Sequence, residues 1–354
     1  MRVKRLGLFL FSAVLLASCG GDDLPNPFDP NAPKPGTPVA RVASIGIVGD
    51  TTDVSTTTKA GTVIMGGGTD VDVAIRWMIE RSGGGDVVVI RATGTDAYNA
   101  YIRSQGSVNS VETLKIDSRK LADDDAVARI IRNAEMLFIA GGDQSDYVNY
   151  WKGTKTMAAI NYLLNEKKVP VGGTSAGAAI LGNYYFSAER GGVESADALA
   201  NPYTTRVMVG RDDFLRAPFL QNVITDQHFS QRDREGRTVT FLGRILKDWS
   251  QSPRAIAVDE RTAVCIDENG NARVLGANKA YFVKSDGAKA PEVFEANSPV
   301  TWNRDGKALE VSAIAASGTD NQFNLQTFQP VNNNGLEKYW WYVANGTFGV
   351  AVRP

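Results

Sequence analysis

The chain predicts an α/β fold: a mostly parallel, doubly wound sheet followed by a β-rich C-terminal extension. Two observations lead there. From about residue 61, short apolar runs alternate with helical stretches, as in a parallel sheet with helices on both faces. Those runs are continuously apolar instead of alternating, which suits strands buried on both sides. At 354 residues, 43% hydrophobic and 22% charged, the chain is long enough for one large or two modest globular domains. Its net charge of −1 gives no field to draw a polyanion, so no nucleic-acid partner is expected.

The N-terminus stands outside the fold. Arg2, Lys4 and Arg5 precede an apolar run, Leu6 to Ala17, that is too short to span a membrane and has the form of a signal peptide over residues 1–18. It ends Leu16-Ala17-Ser18-Cys19, which resembles a bacterial lipobox. That resemblance implies cleavage before Cys19, lipidation of Cys19, and a chain exported and anchored to the bacterial cell envelope, on its periplasmic or surface face. Residues 19–40, rich in Pro, Asp and Gly, suit a solvated tether. With Cys19 lipidated, Cys265 has no partner and is expected as a small buried hydrophobe within Ala263-Val264-Cys265-Ile266.

Residues 41–285 carry the α/β pattern. Thr62 to Met65 is a buried strand ending in Gly66-Gly67-Gly68, and Val71 to Glu80 has helical spacing. Val87 to Arg91 is a strand. Ala126 to Arg132 is a helix whose preceding Asp123, Asp124 and Asp125 meet unpaired N–H groups. Met136 to Ala140 is a strand, Met157 to Leu164 a helix, and Val169 to Val171 a short strand. Val223-Ile224 leads through His228 to a helix from about Thr238 to Trp249, and Ala255 to Val258, Ala263 to Ile266 and Ala280 to Val283 are further strands. Residues 286–354 are β-rich with turns such as Asn303-Arg304-Asp305-Gly306. The cluster Tyr339-Trp340-Trp341-Tyr342 suits an edge strand or the core more than a binding surface.

The chemistry gathers at strand ends. In open parallel sheets ligands bind beyond the carboxyl ends of the strands. Gly66-Gly67-Gly68, Gly141-Gly142-Asp143-Gln144, Ser175 and Asp226-Gln227-His228 all fall there. Gly173-Thr174-Ser175-Ala176-Gly177 has the form of a nucleophile elbow, with Ser175 as nucleophile. The amide of Ala176 and one from the turn at Gly142 are candidate oxyanion donors. Serine needs a base, and His228 is the single histidine of the chain. Asp226, Asp259 and Glu260 are candidates for the acid that orients it. Glu260 closes a strand at the active edge, whereas Asp226 would face away if its strand ran on. The order Ser175, His228, Glu260 disfavours an α/β-hydrolase, where the acid precedes the histidine. It is closer to a class I glutamine amidotransferase-like fold with serine in place of cysteine.

Four blocks, Gly141 to Gln144, Gly172 to Ala178, Asp226 to Arg237 and Val258 to Ala263, together resemble the cyanophycinase and peptidase E family of serine peptidases. The resemblance covers roughly residues 60 to 285 and leaves the leader and the extension unmatched. It implies Ser175 as nucleophile, His228 as base and Glu260 as acid. It also implies a substrate pocket of Gln144, Asp226, Gln227, Arg232, Arg234 and Arg237. The implied activity is hydrolysis of multi-L-arginyl-poly-L-aspartate to β-Asp-Arg dipeptides. A related exported aspartyl (iso)peptide hydrolase or dipeptidase, and a non-catalytic binding protein, stand as alternatives. The expected partners are an aspartate-containing (iso)peptide and, through the lipid, a membrane; self-association as a homodimer stays open. No metal and no cofactor are implied. Arginine forks suit the carboxylates of such a substrate, although some of these arginines could instead pair with Asp233 and Glu235.

Overall fold

The computed structural model describes residues 40–318, 321–333 and 335–354. The signal peptide, Cys19 and all but the last residue of the tether lie outside the described residues. The fold opens with β1 (Ser44–Gly49), β2 (Gly61–Met65), α1 (Asp72–Arg81), β3 (Asp86–Arg91), α2 (Ala97–Gln105) and β4 (Ser110–Lys115). Then come α3 (Arg119–Ala122), α4 (Asp125–Asn133), β5 (Met136–Ile139), α5 (Gln144–Trp151), α6 (Lys155–Tyr162), β6 (Pro170–Thr174) and the single-turn α7 (Ala176–Ala179). They are followed by β7 (Tyr184–Phe186), α8 (Ser195–Ala200), β8 (Val209–Arg211), β9 (Val223–Asp226) and α9 (Glu235–Trp249). Four strands come next: β10 (Arg254–Val258), β11 (Thr262–Asp267), β12 (Asn271–Gly276) and β13 (Lys279–Ser285). The extension holds β14 (Leu309–Ala315), β15 (Gln322–Asn324), β16 (Gln329–Pro330), β17 (Leu336–Ala344) and β18 (Thr347–Val352).

These strands form two sheets. The first runs β1-β4-β3-β5-β6-β2-β11-β12-β15-β16, and the second β18-β17-β14-β13-β10-β9-β7-β8. In the first sheet β4, β3, β5, β6 and β2 are parallel neighbours, so the expected parallel core is present. Antiparallel strands flank it on both sides, β1 at one edge and β11 onward at the other. In the second sheet β10, β9 and β7 are parallel and the rest antiparallel. The β-rich extension continues both sheets: β15 pairs with β12, and β14 with β13.

The core explains the unbroken apolar runs. Along β2, Val63 and Met65 pack toward α1 with Val87, Val89 and Phe138, while Ile64 packs on the opposite face with Val88, Ile90 and Ile139. Alternate residues thus enter different cores, and a strand covered on both faces must be apolar throughout. On the second sheet Phe241, Leu242 and Ile245 of α9 are buried with Ile224, Ala255 and Ala257. Asp124 caps α4 as the acidic run predicts, its carboxylate accepting from the amides of Ala126 and Val127 at 2.8 and 3.4 Å. Arg304 and Asp305 have φ of 48° and 55°, so the turn expected there is formed. Cys265 is free and buried, and burial raises its thiol to about 12. Among the described residues no helix is long and apolar enough to cross a membrane.

Candidate active site

The site forms where the two sheets meet. β6 and β2 of the first sheet end at Thr174 and Met65; β9 and β10 of the second end at Asp226 and Val258. Ser175, His228 and Glu260 follow these ends within two residues. The glycine turn after β2 joins them: His228 N–H donates to Gly66 O at 2.7 Å, Arg261 N–H to Gly67 O at 2.9 Å, and Ser175 N–H to Met65 O at 3.1 Å. The sequence pattern points to one sheet edge; the observed edge is shared by two sheets.

Ser175 stands at a sharp strand-to-helix turn with φ 52° and ψ −117°, a strained conformation for a residue with a β-carbon. Close packing holds it there. A β-carbon on Gly173 would lie 2.5 Å from Gly177 C, and one on Gly177 would lie 2.2 Å from Ile139 O. Only glycines let β6, α7 and the end of β5 approach this closely.

Ser175 Oγ lies 2.7 Å from His228 Nε2, and His228 Nδ1 lies 2.6 Å from Glu260 Oε1. With the ring proton on Nδ1, His228 donates to the Glu260 carboxylate and Nε2 accepts from the serine hydroxyl. The structure therefore brings Ser175, His228 and Glu260 into one hydrogen-bonded chain. Asp259, the neighbouring candidate acid, instead accepts from the amides of Ser230 at 2.9 Å and Lys279 at 3.3 Å. Glu260 is fixed through its backbone: its amide donates to Gln231 Oε1 at 2.7 Å and its carbonyl accepts from Asn278 Nδ2 at 2.8 Å. Burial lowers the His228 pKa below the ordinary imidazole value, the Arg232 and Arg234 charges add to this, and Glu260 opposes it.

The sequence profile of Peptidase family S51 matches residues 91–274, just over half of the chain, and spans β6, the elbow, His228 and Glu260. The chain belongs to peptidase family S51. It is a serine-type peptidase. The cyanophycinase of Geminocystis herdmanii is 24% identical over 238 residues, 67% of this chain and 79% of that protein. The cyanophycinase of Synechococcus elongatus is 28% identical over 188 residues, 52% of each chain, and that of Trichormus variabilis 25% over 185 residues, 57% of its own length. The chain thus spans little more than half of the latter two. Among solved structures, a peptidase from an acI-B1 Actinobacterium superposes with a TM-score of 0.47 at 16% identity, over 64% of this chain and 91% of that one.

In this S51 peptidase the expected pocket residues divide. Asp226 and Arg237 are 2% and 4% exposed and face each other. Asp226 Oδ2 accepts from Arg237 Nε at 3.0 Å and Thr238 Oγ1 at 2.8 Å, and Oδ1 accepts from Gln227 N–H at 2.9 Å and from Arg237 Nη2. Burial pushes the Asp226 carboxyl up, but the Arg237 and Arg234 charges outweigh it and hold it below its ordinary value. The structure places Asp226 and Arg237 in a buried pair turned toward each other, an arrangement that suits a structural support for the segment carrying His228. Arg234 is half-buried; its Nη1 donates to Gln227 O at 2.7 Å and lies 3.8 Å from Asp226. Burial, with Arg237 alongside, brings its pKa down to about 10, so it stays charged. The Gln227 backbone is thereby engaged with Arg234 and Asp226. Arg232 is exposed, and Gln144 is half-buried at the start of α5. Ala176 follows Ser175 at the start of α7. Of the turn glycines, Gly141 is nearer Ser175: a β-carbon there would lie 3.9 Å from Ser175 Oγ, whereas one on Gly142 would face Tyr147.

Two residues beside the elbow escape the sequence reading. Tyr98 donates to Asp70 Oδ2 at 2.6 Å. Burial raises the Asp70 pKa, and the Tyr98 and Thr174 hydroxyls oppose the rise. Asp70 lies two residues beyond the Gly66-Gly67-Gly68 run, and that proximity is the one signal that could have drawn attention to it. Nothing in the local pattern around Tyr98 distinguishes it.

Proposed function

We propose that this peptidase hydrolyses amide bonds beside aspartate, and that multi-L-arginyl-poly-L-aspartate is the substrate to which the site is best suited. The observation that carries the reading is the unbroken bonding from Ser175 Oγ through His228 to Glu260 at 2.7 and 2.6 Å. The Ser175 proton passes to His228 Nε2 as Oγ bonds to the carbonyl carbon. The carbonyl oxygen, now negative, takes hydrogen bonds from the Ala176 amide and from an amide of the Gly141-Gly142 turn. The C–N bond then breaks, His228 returns the proton to the leaving amine, and an acyl-Ser175 ester remains. Water, losing its proton to His228, releases the acid and restores the serine. Arg232 and Arg234 supply forked donors for substrate carboxylates, and Gln144, at the start of α5, a side-chain amide.

Incubation with the polymer and with aspartyl dipeptides, followed by mass analysis, tests this. β-Asp-Arg released by the native protein and not by Ser175→Ala is the expected outcome. Cleavage of dipeptides alone would move the substrate to the related aspartyl peptides. An adduct of a fluorophosphonate on any residue but Ser175 would sink the mechanism. The leader supports a further proposal, export with a lipid on Cys19; the mass of the mature N-terminal peptide from cells making the native chain or Cys19→Ala tests it.

A further inference from the structure

The family profile stops at residue 274, yet a side chain from far beyond it packs on the segment that carries the proposed base. Phe229, the residue after His228, is wholly buried. Its ring stacks on Trp341 of β17 with centroids 5.8 Å apart and planes at 22°. Tyr281 of β13 closes the group, 5.1 Å from Phe229 and 6.0 Å from Trp341. Phe348 of β18 backs Trp341 edge-on at 5.5 Å. The same strand reaches the other end of the relay: Glu337 of β17 binds Lys279 Nζ at 2.7 and 2.8 Å, and the Lys279 backbone bonds with Asp259, next to Glu260. That ion pair is half-exposed and contributes little by itself; the aromatic contact is the buried one.

We infer that residues 286–354 complete the active site from behind, with Trp341 acting as a positioning residue that sets the place of His228 through Phe229. The inference rests on Ser175 and His228 working as proposed above. The backbone of His228 is held in an uncommon conformation, φ 46°, so its ring stays 2.7 Å from Ser175 only while its neighbours fix the chain. Its amide is tied to Gly66, and the Phe229 amide to Val258 at 3.3 Å. The Phe229 carbonyl accepts from the amides of Arg232 and Arg234 at 3.3 and 3.2 Å. The Phe229 ring is the buried side-chain anchor of this segment, and Trp341 is its stacked face. A smaller side chain at 341 leaves a gap into which Phe229 sinks, drawing His228 from the serine. Misplacement by an ångström is worth about 100-fold in rate.

Trp340 provides an internal control. It is the next residue of the same strand and projects from the opposite face, where Lys289 Nζ and Arg353 Cζ lie 4.8 and 5.5 Å from its ring. Trp341→Leu, Trp341→Phe and Trp340→Ala are compared with the native protein for the rate of fluorophosphonate labelling of Ser175, for kcat and KM on the cleaved substrate, and for near-UV dichroism. The expected result is labelling and kcat lowered about 10- to 100-fold in Trp341→Leu with KM little changed. Trp341→Phe should recover most of the loss, and Trp340→Ala should stay within about twofold of native. Equal losses in Trp340→Ala and Trp341→Leu, or native labelling in folded Trp341→Leu, overturn the inference. Failure of the native protein to label at Ser175 overturns the mechanism instead, so the two failures are told apart.

Discussion

In the proposed mechanism the proton on His228 decides whether Ser175 has a base. Burial disfavours the imidazolium, Arg232 and Arg234 disfavour it further, and Glu260 pulls the other way without winning. The neutral ring is the active form, so kcat/KM should rise with pH through a midpoint below the ordinary 6.5. Arg232 is exposed, and Arg232→Gln removes one of the charges that oppose protonation. The midpoint should then move up, toward 6.5. A pH profile with an unmoved midpoint, or one above 6.5 in the native protein, would contradict this account. Stability follows the same sign: the depressed pKa contributes fully above about pH 6.5 and the contribution fades as pH falls toward the folded value. Asp226 belongs at this scale too. Asp226→Ala leaves the buried Arg237 guanidinium without its partner, a change that costs about 3–5 kcal/mol. Urea denaturation should show that loss. An Asp226→Ala protein of native stability with only a raised KM would return Asp226 to the pocket.

Among the elements, the glycine turn after β2 matters most to the site. Gly67 has φ +91°, and a β-carbon on it would lie 2.3 Å from His228 Cε1. Gly67→Ala therefore displaces the ring as well as straining the backbone. Gly191 is a matched control, with φ +89° and open space where the β-carbon would go. Both substitutions carry a similar backbone penalty, but only the first touches His228. Steady-state kinetics should show kcat down by about 100-fold in Gly67→Ala and near native in Gly191→Ala; similar losses in both would refute a specific contact. This turn was legible as a strand-ending glycine run, and the elbow as Gly-x-Ser-x-Gly, because close backbone approach admits no other residue. The contact between Gly67 and His228, 161 positions apart in the chain, left no local pattern to read. The burial of Asp226 left no trace for a related reason: a carboxylate beside arginines looks alike in sequence whether the pair faces substrate or is sealed inside.

At the scale of the whole molecule, the alternation of strands and helices was readable because burial on both faces demands apolar runs. The division into two sheets was not. It depends on the hand-over from β10 to β11 through Asp259-Glu260-Arg261, three polar residues that resemble any other turn. The described residues form one compact unit, and the extension is woven into it. Phe323 of β15 stacks on Phe282 of β13 at 3.9 Å, and Leu309, Val311 and Ile314 of β14 and Trp341 of β17 are buried in the two cores. Each such side chain contributes about 1.5–3 kcal/mol by burial. Removing all five costs on the order of 10 kcal/mol, as much as the whole stability of an ordinary domain, about 5–15 kcal/mol. A chain ending at Ser285 should therefore fail to fold and accumulate as aggregate. In the intact protein, far-UV dichroism, tryptophan emission and Ser175 labelling should all be lost at one urea concentration. An emission transition that separates from the loss of labelling would mean that the extension unfolds alone, and that His228 keeps its place without Trp341 behind it.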